Sequence, residues 1–196
     1  MQSNLPIQDE LAELVAAARE GDRVAFESLV RATSADTYTL ALRLTANEED
    51  ARDVVQEAYL RAFRGLRRFR GDAQFTTWLY RITANCASSH LGRRARHQHD
   101  ELVPDADPEE RHHDRLPEIR AESAELRARL EEAIRMLPPK LRAVVVLRDV
   151  YDLPHEDIAA ELGISESAAK VRLHRARRRL REELFPLPDE EDARAV

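Results

Sequence analysis

DIAAELGISESAAKVRLHRARRRLREEL, running from Asp157 to Leu184, contains two helical patterns parted by a single turn. Ile158, Ala159 and Leu162 give the first pattern an apolar face, Gly163 can take the positive φ that ends a helix, and Ser165 can cap the next one. In the second pattern Ala169, Leu173, Ala176 and Leu180 fall on one stripe that can dock on the first helix. At roughly 100° per residue, Ser167, Val171, His174, Arg175 and Arg178 lie opposite that stripe, with Lys170 and Arg172 on its flanks. The pattern is a helix–turn–helix whose second helix presents a basic face suited to a DNA groove; a solvated charged face is the plainer alternative.

Composition bounds the rest. The chain has 196 residues, five of them glycine, and Ala, Leu, Arg and Glu dominate with little strand-like alternation, which predicts an all-α protein of two small helical domains. Its net charge of −6 is unevenly spread. Arginine gathers at Arg61 to Arg70, Arg93 to Arg96 and Arg172 to Arg181, and acid gathers between Asp100 and Glu132 and at the C-terminal end. Basic surfaces on an acidic chain point to local nucleic-acid contact with other faces left for proteins. The single cysteine, Cys86, excludes an intramolecular disulfide, and no apolar run is long enough for a signal peptide or a membrane span, so the expected location is the cytoplasm.

From the N-terminus, residues 1–8 read as a loose tail and Glu10 to Glu20 as a helix, with Asp22 a cap for the next. That next helix carries Ala25, Phe26, Leu29 and Val30, and a further one carries Tyr38, Leu42 and Thr45. The helix from Glu49 to Arg64 has two unlike faces: Ala51, Val54, Val55, Ala58 and Ala62 on one, Asp53, Gln56, Glu57, Leu60 and Arg64 on the other. A leucine set among carboxylates and an amide suits a polar-rimmed protein interface, although single exposed leucines are common. Downstream, Phe75, Trp78, Leu79 and Ile82 have core spacing, while Thr77, Arg81, Ala84, Asn85 and Ser88 share the opposite face and Arg67, Arg68 and Arg70 precede them. Cations beside aromatic and amide groups fit a single strand with unstacked bases, and Arg93 and Arg94 extend the groove toward phosphates.

His97 to Ser123 is rich in acid and proline and reads as a linker. Its histidines do not form a recognised ligand spacing, so no metal or other cofactor is expected. Leu126, Leu130, Ala133, Ile134 and Leu137 restart helical periodicity, Pro138-Pro139 stops it, and Leu141 to Val150 is an apolar helix leading to the helix–turn–helix. The domains expected are 10–96, a linker at 97–123, and 124–185.

DARDVVQEAYLRAFR, then FRGDAQFTTWLYRITAN, then a linker and a helix–turn–helix, resembles in that order the extracytoplasmic-function sigma factors of the sigma-70 family over residues 10 to 184. The resemblance implies a region 2-like helical bundle and a region 4-like helix–turn–helix domain joined by a flexible acidic linker. It implies a non-enzymatic protein that directs core RNA polymerase to promoters in a stress or envelope-signal regulon. Asp53, Gln56, Glu57 and Leu60 become contacts to the clamp helices of the largest polymerase subunit, with the polymerase flap a further contact. Arg70, Trp78, Arg81, Asn85, Arg93 and Arg94 become contacts to the minus-ten element, Trp78 and Asn85 shaping a pocket for a flipped base. Arg148, Ser167, Lys170, Val171, Arg172, His174, Arg175 and Arg178 become contacts to the minus-thirty-five element. An anti-sigma factor is an implied partner, and the free chain is expected to be monomeric. Departures are Ser167, Ala168 and Ala169 in place of a Gly-Thr-Val run, Val171 in place of a small polar residue, and Pro154-His155 in place of Ser-Tyr, which loses a side-chain cap and supplies a preset first helical residue. The linker has two readings, a solubilising tether or a segment threading the polymerase cleft. A stand-alone helix–turn–helix regulator is the competing function, but it leaves the Asp53 to Leu60 face unexplained, and a helical scaffold leaves the basic helix unexplained.

Overall fold

The computed structural model describes residues 5–71, 73–99 and 119–185; most of the acidic linker, with His112 and His113, and the C-terminal acidic tail lie outside the described residues. Among the described residues eight α-helices follow in order: α1 Leu5–Arg19, α2 Arg23–Thr45, α3 Glu48–Gly65, α4 Phe75–His99, α5 Ile119–Met136, α6 Pro139–Val145, α7 His155–Leu162 and α8 Glu166–Leu184. Helix α1 begins within the segment read as a loose tail.

Capping fixes where α2 and α3 start. The Asp22 carboxylate accepts from the Val24 and Ala25 amides at 2.8 and 3.1 Å, and Asn47 accepts from the Asp50 amide at 3.0 Å. Glu48, Glu49 and Asp50 then place negative charge at the positive end of the α3 dipole. The two helices expected between Ala25 and Thr45 are one helix of 23 residues. The polar run through Thr33 and Thr37 reads as a break, yet both side chains are buried inside α2. Each hydroxyl donates to the carbonyl one turn back, Leu29 and Thr33, at 2.7 and 2.8 Å, and each meets the Tyr59 hydroxyl of α3, at 2.8 and 3.1 Å. Satisfied in this way, a buried hydroxyl avoids the roughly 1–3 kcal/mol cost of an unmade bond and the helix runs on.

The helix–turn–helix follows its sequence pattern closely. Gly163 ends α7 at φ 62°, Ser165 accepts from the Ala168 amide at 3.1 Å, and Ala169, Leu173, Ala176 and Leu180 are the buried residues of α8. Pro154 does not supply the first helical residue: it is the extended residue before α7 and gives no side-chain cap. The apolar helix expected from Leu141 to Val150 is α6 continued by a π turn over Val146–Val150. Leu126 and Leu130, expected in the core, are 45% and 38% exposed. Arg129 already reaches the end of α8, donating to the Leu184 carbonyl at 3.2 Å, so Leu126, a turn before it, has little of α8 left to cover it.

Helices α1 to α4 pack around Leu29, Leu66, Phe69, Phe75 and Leu79. A second core joins both helical sets: Leu40, Leu44 and Val54 of the first belong to one cluster with Val144, Leu147, Ile158 and Leu173 of the second. Arg142 bolts the sets together. Only 5% exposed, it donates to Leu44 and Thr45 carbonyls of α2, each at 3.3 Å, and to the Arg135 carbonyl of α5 at 2.6 Å.

Candidate nucleic-acid interface

Three surfaces gather the residues singled out from the sequence. On α8, Ser167, Val171, His174, Arg175 and Arg178 are all exposed on the side away from the buried stripe, and Arg172 is half-buried. Lys170 pairs with Glu166 and Arg178 with Glu182, each at 2.7 Å, and the Lys170 ammonium holds the Glu166 carboxyl below its ordinary range. His174 and Arg175 have no side-chain partner among the described residues. Both pairs are exposed and weak, so neither ties its cation firmly to its own helix. Arg148 stands apart: it donates to the Leu153 carbonyl at 3.0 Å and pairs with Asp152 at 3.1 Å, bracing the turn before α7.

The outer face of α3 carries Asp53, Gln56 and Leu60, all exposed, while Glu57 is half-buried and receives a hydrogen bond from Arg61 at 2.6 Å. One residue that the sequence reading passed over enlarges this face: Phe63 is 51% exposed one turn beyond Leu60 and meets Phe26 edge-on at 5.0 Å. The spacing of Leu60 and Phe63, i and i+3 on one helix, was the available signal.

The third surface belongs to α4. Trp78 packs against Phe69 at 4.9 Å and Phe75 at 5.8 Å, and a side chain at Gly65 would come within 3.3 Å of its ring, so its apolar body is held in the aromatic cluster. Arg70 and Arg93 are exposed, and Arg94 pairs with Asp50, which also meets His90 at 2.9 Å. Ala84, expected on the open face, is 1% exposed.

Arg81 and Asn85, one turn apart, are covered by α7. Arg81 pairs with Asp157, and its Nε is buried with no partner. Asn85 accepts from Arg61 at 3.0 Å, and its side chain lies near enough to the Glu161 carboxyl to favour the charged form. Burial pushes the Glu161 carboxyl up, against the opposing pull of Arg81 and Asn85. A polar chain therefore runs Glu57, Arg61, Asn85, Glu161, from the α3 face to the helix–turn–helix. Next to it, burial raises the Cys86 thiol to about 11, which keeps it protonated and inert at neutral pH. The sequence reading missed Asp157 and Glu161 because acids four apart on a short helix look like solvent-facing charge.

Among the described residues no group of three or more His, Cys, Asp or Glu side chains could hold a metal ion, and no helix is long and apolar enough to cross a membrane.

Comparison with known proteins follows the same division. A family model described as Sigma-70 region 2 matches residues 29–97, and one described as Sigma-70, region 4 matches residues 127–180. The chain is 35% identical over 186 residues to the RNA polymerase sigma-H factor of Pseudomonas aeruginosa, covering 92% of this chain and 96% of that protein. It is 34% identical over 180 residues to the ECF RNA polymerase sigma-E factor of Escherichia coli K12, covering 89% and 94%. Among solved structures, CnrH in complex with the cytosolic domain of CnrY is similar with a TM-score of 0.54 and 27% identity over 93% of this chain and 97% of that one. The fold is also that of sigma factor RpoE from Bartonella quintana, solved with the anti-sigma factor NepR, at a TM-score of 0.58 and 22% identity over 83% and 98%.

Proposed function

The chain belongs to the extracytoplasmic-function sigma factors of the sigma-70 family, and from that premise we propose how its three surfaces share the work of starting transcription. It binds core RNA polymerase and directs promoter recognition, strand opening and initiation. Catalysis of RNA synthesis belongs to the polymerase, and this chain supplies sequence readout and binding energy.

Asp53, Gln56, Glu57 and Leu60, extended by Phe63, dock on the clamp helices of the largest polymerase subunit, and the second helical set contacts the flap. Helix α8 enters the major groove of the minus-thirty-five element, where His174 and Arg175 meet base edges and Ser167, Lys170, Val171, Arg172 and Arg178 line the contact. Arg148 acts there by fixing the turn that precedes the motif. Once the strands part, Arg70, Arg81, Arg93 and Arg94 hold the phosphates of the minus-ten strand while Asn85, with Trp78 as its wall, receives a flipped base, offsetting the few kcal/mol that unstacking costs. Residues 10–96 and 124–185 are the two working domains and 97–123 their tether. The chain works in the cytoplasm as a monomer when free. An anti-sigma factor covering the α3 face restrains it, in keeping with stress or envelope-signal control; the similar CnrH is itself solved with CnrY.

The observation that carries this division is that α8 buries its whole apolar stripe and leaves His174 and Arg175 exposed and unpartnered. Two variants test it in holoenzyme on promoter DNA. Arg175→Ala should lose about 1–3 kcal/mol of duplex binding and relax preference at one or two upstream positions. Asn85→Ala should keep duplex binding and lose permanganate reactivity of promoter thymines. Normal opening by the Asn85 variant, or an Arg175 variant that fails only at opening, would overturn the assignment.

A further inference from the structure

We propose that Val171 is a thymine reader: set among the cations of α8, its isopropyl group packs on the C5-methyl of one thymine in the upstream element and disfavours the other three bases at that position. The inference rests on the reading of α8 as the helix that enters the major groove, and it adds which base is selected beside the one that Arg175 engages.

An exposed valine is an unfavourable choice for this helix. β-Branched side chains are poorer helix formers than the alanines, arginines and glutamates around it, and Val171, 50% exposed, belongs to neither apolar cluster that could offset the loss. Every other exposed position of α8 is polar or charged. Single exposed apolar residues are common on protein surfaces, but the place of this one is particular. It stands one turn from Ser167 on one side and one turn from His174 and Arg175 on the other, all of them exposed, in the middle of the face opposite the buried stripe.

The major groove offers an isopropyl group one apolar partner. Thymine carries a C5-methyl there, whereas guanine, adenine and cytosine present hydrogen-bonding groups at their groove edges. A valine set against those groups removes their water and replaces none of its hydrogen bonds, so one side chain both attracts thymine and works against the alternatives. Branching at Cβ holds χ1 largely in one rotamer within a helix, and little side-chain freedom is lost when the contact forms. The neighbours are committed otherwise: the Ser167 hydroxyl meets that of Ser165 at 3.0 Å, and the Lys170 ammonium is turned to Glu166. Four residues of helix span about 6 Å and successive base pairs about 3.4 Å, which puts the thymine one or two base pairs from the base that Arg175 reads.

The test edits a single methyl. Holoenzyme rebuilt from core polymerase and the full chain enriches a duplex library randomised across the promoter region, and the best-bound duplex is remade with each upstream thymine replaced in turn by deoxyuridine, which removes the C5-methyl and keeps every hydrogen-bonding group. At one position, one or two base pairs from the preference that Arg175→Ala relaxes, the exchange should weaken wild-type binding about fourfold, the effect of burying one methyl. Val171→Ser should bind the thymine duplex about fourfold more weakly and be indifferent to the exchange at that position, with its helix content unchanged in circular dichroism. A wild-type holoenzyme indifferent to every deoxyuridine overturns the inference, and so does a methyl effect that survives in full in Val171→Ser, which would put the reader elsewhere. Arg175→Ala on the same duplexes separates this failure from that of the premise. If it loses upstream binding while deoxyuridine changes nothing, only the Val171 assignment falls; if neither Arg175→Ala nor Val171→Ser alters upstream binding, α8 is not the groove-reading helix and both fall.

Discussion

Replacing Arg142 with methionine tests the physics that joins the two helical sets. The residue is only 5% exposed, and its guanidinium has no carboxylate in ion-pair range among the described residues. It donates instead to carbonyls at two helix ends: Arg135 at 2.6 Å and Leu137 at 3.5 Å at the end of α5, Leu44 and Thr45 at 3.3 Å at the end of α2. Those carbonyls carry the negative poles of their helices, so one charge is spread over two dipoles. Burial lowers the pKa of the group, but an arginine starts so high that it stays charged at neutral pH. A hydrogen bond from a charged donor contributes about 1.5–3 kcal/mol; one full-strength bond and three long ones amount to roughly 4 kcal/mol gross. Methionine keeps much of the apolar contact of the stem and removes a buried charge, returning about 1–2 kcal/mol. The net loss is about 2–3 kcal/mol. With a urea dependence of about 2 kcal/mol per molar, the unfolding midpoint should fall by about 1–1.5 M in circular dichroism. Arg142→Lys should lie between the two, because an ammonium cannot fork across both helix ends. A methionine variant within about 0.5 kcal/mol of the wild-type chain would refute the reasoning, since that is the scale of an ordinary surface substitution.

Asp53→Lys with Glu57→Lys should weaken capture by core polymerase at least tenfold while leaving the circular dichroism spectrum unchanged; retained capture would remove the α3 face from the docking surface. Glu161→Gln should change how stability depends on pH. Its carboxyl is raised in the folded chain, so its contribution is present below the ordinary carboxylate range and lost as pH rises through the raised value; the variant's melting temperature should therefore fall less than that of the wild-type chain across this rise. Gly163→Ala places a side chain at φ 62° and should lower stability by about 1 kcal/mol, read from thermal unfolding.

How far the sequence could be read depended on whether a signal was local. The stripe from Ala169 to Leu180, the αL glycine at Gly163 and the caps at Asp22 and Ser165 are decided within one or two turns, and each appears where its spacing puts it. The uninterrupted α2 was not legible, because Thr33 and Thr37 owe their burial to Tyr59 on another helix. Leu126 and Leu130 have the right period and are only partly covered, which periodicity alone cannot reveal. The sites divide in the same way. The basic face of α8 follows from its own helix, while the fate of Arg81 and Asn85 is set by Asp157 and Glu161, more than seventy positions away along the chain.

That long-range pairing changes what the basic residues mean. A cation on an open groove attracts any phosphate, and its affinity is set by the ionic strength of the solution. A cation already facing a carboxylate, as Arg81 faces Asp157, adds only the difference between two partners. The half-buried Arg81–Asp157 pair at the α4–α7 contact contributes about 1 kcal/mol or less. The contact therefore has little stability of its own and depends on the apolar cluster and on Arg142, which hold the two sets together elsewhere. Whatever separates the sets uncovers Arg81 and Asn85 without having to break a strong bond there. The sequence carries both parts of this arrangement, the acids of α7 and the polar row of α4, but only the fold brings them into contact.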